Sequence, residues 1–162
     1  MESKTLKIKK VRPDAIVPTK GSKYAAGYDL YANISFAESD LQVVPDGEIV
    51  NAVLLNAGET RFFHTGIAVQ LPPYTFGGIY ARSGLACKHG ARPANCVGVV
   101  DEDYNDEILV ALHNDSDKPL EILHGDRIAQ LIVQPVIKTK VDVVDTLDET
   151  ERGGGGFGST GR

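Results

Sequence analysis

A chain of 162 residues with 42% hydrophobic content fits one domain with an ordinary globular core, and no second domain is needed. Its formal charge of -5 argues against a general nucleic-acid surface, so direct nucleic-acid binding is not expected. Cys87 and Cys96 match neither a zinc spacing nor a disulfide framework, residues 1–10 lack the apolar centre of a signal peptide, and no apolar run is long enough to span a bilayer. These features predict a soluble protein of a reducing compartment, cytoplasmic, or nuclear in a eukaryotic or viral source.

Leu6 and Ile8 alternate with lysines as in a half-exposed strand, which Arg12-Pro13-Asp14 and Pro18 break. In Ala25-Ala26-Gly27-Tyr28-Asp29-Leu30-Tyr31, Gly27 suggests a close backbone approach and Asp29 an inward carboxylate, with a structural turn contact as its simplest role. Apolar runs at residues 41–44 and 49–55, separated by Pro45-Asp46-Gly47, read as hairpin strands. Residues 66–71 and 77–81 give two more around Pro72-Pro73. Residues 83–89 form the best helix candidate, with Ser83 as its N-terminal cap and Gly90 to end it. Arg82 and Ser83 at its start suit a phosphate, and suit equally an ordinary surface ion pair and cap.

Residues 98–108, Gly-Val-Val-Asp-Glu-Asp-Tyr-Asn-Asp-Glu-Ile, are where the chemistry is placed. Val97, Val99 and Val100 read as the end of a buried strand and residues 108–112 as the start of another, joined by a turn over residues 102–106. A carboxylate held at a strand end, Asp101, can orient and deprotonate water, and Tyr104 offers a flat face to a sugar or ring. The alternative is a solvated acidic hairpin tip. A calcium loop is excluded: Asp101, Asp103 and Asn105 fit its opening, but Asp106 stands where glycine is required and Leu112 where glutamate is.

Residues 107–113, 120–123 and 127–137 supply the remaining strands. Within the last, Gln130 is a polar amide in an apolar run, either a satisfied core amide or a ligand contact. About ten short strands between turn signals predict an all-β fold, a jelly-roll-like β-barrel with one short helix. The packed core is expected over residues 1–144 and a flexible glycine-rich C-terminal arm over residues 145–162. Among its glycines the arm carries Arg152, Phe157, Gly158, Ser159 and Thr160, residues suited to a phosphate and a base, although it is no Walker loop.

Five stretches together resemble, in order, the five motifs of the trimeric-type dUTPase family. They are Ala26-Gly27-Tyr28-Asp29-Leu30, Arg82-Ser83-Gly84-Leu85-Ala86, Asn95 through Gly98-Val99-Val100-Asp101 to Tyr104, Gly125-Asp126-Arg127-Ile128-Ala129-Gln130-Leu131, and Arg152 to Gly161. The resemblance implies a jelly-roll homotrimer with active sites shared between subunits. It implies hydrolysis of dUTP to dUMP and pyrophosphate by in-line attack of water on the α-phosphorus, with Mg2+ on the triphosphate. That reaction limits uracil incorporation into DNA and supplies dUMP. By the same resemblance Asp101 activates the water, Tyr104 packs under deoxyribose, and Asn95 lies in the uracil-recognising hairpin, with Gly98 and Val100 also substrate-binding. Arg82, Ser83 and Gln130 contact phosphates, Gly84 is a further substrate-binding residue, and Asp29 holds the metal indirectly, through water. Arg152 meets the terminal phosphate, Phe157 covers the uracil, Ser159 and Thr160 touch phosphate oxygens, and Gly158 is a further substrate-binding residue. The chain departs from the family pattern at Asn105-Asp106, Ala81 and Val97, and residues 37–60 are longer than in compact members. The alternatives are a dCTP deaminase-like enzyme of the same fold and a nucleotide-switched regulatory protein that holds a partner through residues 37–60.

Overall fold

The computed structural model describes residues 5–151 and 153–155. Eleven strands appear in chain order: β1 (Lys7–Lys10), β2 (Tyr28–Tyr31), β3 (Leu41–Val43), β4 (Val50–Leu55), β5 (Thr60–Gln70), β6 (Thr75–Tyr80), β7 (Ala91–Pro93), β8 (Val97–Val100), β9 (Glu107–Asn114), β10 (Leu120–Leu123) and β11 (Arg127–Pro135). One helix, α1 (Ser83–His89), stands between β6 and β7. The strands form three antiparallel sheets, ordered β1-β5-β9-β7, β10-β4-β3 and β2-β11-β6-β8. This is the jelly-roll-like, all-β architecture that the strand spacing predicts.

Alternation decides which side chains enter the core. Along β9, Ile108, Val110, Leu112 and Asn114 are buried while the residues between them are not, as a two-residue period requires. They meet Leu30, Leu55, Ile67, Ile122, Ile128 and Leu131, all at 0–1% exposure, and each such side chain contributes about 1.5–3 kcal/mol of burial. Asn114 tolerates full burial because its amide donates to the carbonyls of Leu55 and Lys118 and its oxygen accepts from Ser116.

Four local expectations change. Strand β5 begins at Thr60 rather than Gly66, and a register shift against β9 falls between His64 and Ala68, around Gly66 at φ +69°. A polar-looking run there hides the strand from sequence patterning. Strand β8 is an edge strand rather than a buried one: Gly98 and Val100 face inward while Val97 and Val99 are exposed. Arg82, not Ser83, is the N-cap of α1, with no side-chain cap bond, and Gly90 ends the helix at φ +73° as expected. The last strand stops at Pro135, and Ile137, Val141, Val143 and Leu147 beyond it are almost fully exposed. Cys87 and Cys96 are free thiols, and among the described residues no helix is long and apolar enough to cross a membrane.

Candidate active site

The site residues fall into two groups set by one sheet. Asn95, Gly98, Val100, Asp101 and Tyr104 line a cleft of about 180 Å³, walled by Ile79, Pro93 and Ile108. Antiparallel pairing of β8 with β6 fixes one side of it. A Cβ on Gly98 would lie 3.1 Å from the Ile79 Cβ and 3.3 Å from the Asn95 Nδ2, so glycine lets the hairpin amide fold over the strand. The turn preceding β8 closes through the Cys96 N–H to the Pro93 carbonyl at 3.0 Å. Past β8 the chain turns at once: the Tyr104 N–H donates to the Asp101 carbonyl at 3.1 Å, and the Tyr104 hydroxyl donates to the Glu107 carbonyl at 2.8 Å. Asp101 is exposed at the mouth and the Tyr104 ring is half open to solvent. The extra carboxylate at Asp106 accepts the Glu107 N–H at 2.7 Å, capping the next strand.

The second group is cationic. Asp29, buried at 7% exposure, accepts from Arg82 Nε at 2.8 Å and from Arg127 Nη1 at 3.3 Å. One carboxylate thus orients two guanidiniums, and a partly buried pair of this geometry resists screening better than a surface one. Arg82, Gly84, Lys88, His89 and Arg127 line a wider cleft of about 450 Å³, with Glu121 and Asp126 on its rim. Ser83, exposed, is the first residue of α1. Gln130 donates to the Ala81 carbonyl at 2.9 Å, fixing the backbone just before Arg82. Gly27 makes the predicted close approach, since a Cβ there would lie 2.6 Å from the Gln130 Oε1. Sequence reasoning assigned no role to Arg127, although its place in Gly125-Asp126-Arg127 was a usable signal. Arg152, Phe157, Gly158, Ser159 and Thr160 lie outside the described residues.

Register keeps the groups apart within one chain. Asp29, Gln130, Tyr80 and Val97 occupy one row across β2, β11, β6 and β8. Asp101 lies four residues beyond Val97, about 13 Å along the strand, and three strand spacings add about 14 Å across, so roughly 20 Å separates it from Asp29.

The site thus combines an exposed carboxylate beside a half-open tyrosine ring with a separate pocket where one buried carboxylate orients two guanidiniums, on a jelly-roll-like scaffold. A family model for dUTPase matches residues 40–161. The chain belongs to the dUTPase family. The deoxyuridine 5'-triphosphate nucleotidohydrolase of Kluyveromyces lactis is 44% identical over 161 residues, spanning 99% of this chain and 96% of its own. That of Desulfitobacterium hafniense is 43% identical, spanning 99% of both chains. In fold, the chain is similar to the G164S mutant of the dUTPase of Staphylococcus bacteriophage 80alpha, solved with dUpNHpp. The TM-score is 0.81 at 23% identity, over 99% of this chain and 100% of that one.

Proposed function

We propose that the chain is a dUTP diphosphatase, hydrolysing dUTP to dUMP and pyrophosphate in an active site shared between subunits of a homotrimer. Family membership carries the reaction, and the cleft holding Asp101, Tyr104 and Asn95 carries the assignment of roles. Asp101 accepts a proton from the attacking water, Tyr104 supports the deoxyribose and leaves no room for a 2'-hydroxyl, and the hairpin at Asn95 reads the uracil edge. Arg82, Ser83, Gly84 and Gln130 belong to the phosphate end, where Arg127 and Lys88 add charge. Phosphoryl transfer depends mainly on such positioning and neutralisation.

The separation of roughly 20 Å between Asp101 and the guanidinium pocket supports the shared site, because a single triphosphate cannot reach both groups of one chain at that span. Residues 145–162 then act as an arm that closes over the bound nucleotide, excluding water and bringing Arg152, Phe157, Gly158, Ser159 and Thr160 to it.

The family is one of divalent-metal-dependent enzymes, and Mg2+ is the ion we assign. The donor set fits indirect holding: each oxygen of Asp29 takes one guanidinium bond and keeps a lone pair for a metal-bound water. Bound on the triphosphate, the ion supplies charge neutralisation at the phosphate oxygens. The remaining work belongs to the protein's own groups, with Asp101 aligning the water and Arg82 holding the phosphates in line.

Incubation with Mg2+ and dUTP, UTP, dCTP or dTTP separately, resolving nucleotide products and released pyrophosphate, tests this reading. Conversion of dUTP alone to dUMP and pyrophosphate is expected. Uracil nucleotides formed from dCTP would indicate a deaminase instead, and dUTP binding without turnover would indicate a regulatory protein.

A further inference from the structure

We infer that Glu107 is a positioning residue for Tyr104 and thereby sets the preference for deoxyribose over ribose. The inference rests on the reading of Tyr104 as the floor of the sugar site. The Tyr104 hydroxyl donates to the backbone carbonyl of Glu107, so the ring's direction follows wherever that carbonyl is held. Glu107 is the first residue of β9, directly after the loop, and pairs with Ala68 of β5 just past the register shift.

Its side chain adds a second constraint. The Glu107 carboxylate accepts the Gly66 N–H at 2.7 Å and lies 3.3 Å from Arg12 Nε and 2.8 Å from His64 Nδ1, with only 16% of the side chain exposed. Gly66 is itself closely packed: it sits at the register shift of β5 with φ +69°, and a Cβ there would lie 2.5 Å from the Ala15 Cβ. The carboxylate therefore fills the bulge, taking an amide that the β9 ladder does not. Arg12 and His64 are tied in turn to Glu38, at 2.9 Å and 3.4 Å. Two acids, a guanidinium and an imidazole thus join four separate segments around the residue whose carbonyl takes the tyrosine hydroxyl, as a supporting shell must to hold a ring to a fraction of an ångström.

Steady-state kinetics with dUTP and UTP test this in Glu107→Ala, Tyr104→Phe, the double variant and Tyr104→Ala. Glu107→Ala is expected to raise KM for dUTP and cut the dUTP-over-UTP preference about tenfold, with a smaller fall in kcat. In the Tyr104→Phe background, where the hydroxyl tie is already gone, the same substitution should change the preference less than about twofold. An equal loss in both backgrounds, or an unchanged preference in Glu107→Ala, overturns the inference. If Tyr104→Ala abolishes the preference while Glu107→Ala keeps it, only the role of Glu107 fails; if Tyr104→Ala keeps the preference, the sugar-floor reading itself fails. Arg12→Met serves where Glu107→Ala does not fold, since it removes one tie to the carboxylate and leaves β9 intact. A preference reduced about threefold supports the shell, and an unchanged one overturns it.

Discussion

Asp101 and Asp29 are both carboxylates of the family-like stretches, and their surroundings differ. Asp29 is buried and paired to two arginines, so it orients their guanidiniums; Asp101 is exposed just past a strand end, where we propose that it activates a water. Asp101→Asn should therefore lower kcat about a thousandfold while leaving dUTP affinity within a few fold, because only proton acceptance is lost. Single-turnover kinetics alongside equilibrium binding of a non-hydrolysable analogue separates the two effects. At this scale the sequence was readable wherever glycine or an apolar neighbourhood forced the issue. Gly27 announced the approach that Gln130 makes, and an amide inside an apolar strand announced its own hydrogen bond. The pairing of Arg127 with Asp29 was not readable, because it depends on how β11 lies against β2, 98 positions apart in sequence.

The elements carry two further tests. In β5, Gly66 combines a left-handed conformation with a Cβ position 2.5 Å from Ala15, so Gly66→Ala should destabilise the protein by about 2–4 kcal/mol, measured by chemical denaturation. Behind the same bulge, burial pushes the Glu38 carboxyl up, but hydrogen bonds from Arg12 and from the Ser35 N–H and hydroxyl outweigh it. They hold its pKa at about 2, below the ordinary 4.5. A lowered folded-state pKa contributes stability above pH 4.5 that is lost as pH falls toward 2. With 34% of that side chain in water the contribution is about 1 kcal/mol. Glu38→Gln should show this loss at pH 7, and the difference from the parent protein should close across pH 4.5 to 2. Strand alternation made most elements legible in advance. The first half of β5 escaped notice because Arg61 and His64 interrupt its apolar pattern, and both are satisfied by partners distant in sequence, Asp40 and Glu107.

At the level of the whole molecule, a site shared between chains predicts complementation. Asp101→Asn and Arg82→Ala proteins should each be nearly inactive, yet trimers co-assembled from equal amounts should recover up to about a quarter of parental activity, the share of sites drawing both groups from intact chains. Recovery is read as pyrophosphate release after co-refolding; none at any mixing ratio would place both groups in one chain's site. Truncation after Thr150 should leave thermal unfolding of the β core unchanged and cripple turnover by removing the covering arm.

What the sequence by itself determined was local and periodic: two-residue alternation for the strands, a glycine stop for α1, and five ordered motifs that mark the chain as a dUTPase. Those signals survive in one dimension because each needs only near neighbours. Only the tertiary structure decided that Asp101 and Asp29 stand far apart across one sheet, that Arg127 joins Arg82 on Asp29, and that the Glu107 carboxylate takes the Gly66 amide at the β5 bulge while its carbonyl takes the Tyr104 hydroxyl. Strand register and bulge position arise from contacts between segments tens of residues apart, and no local pattern encodes them.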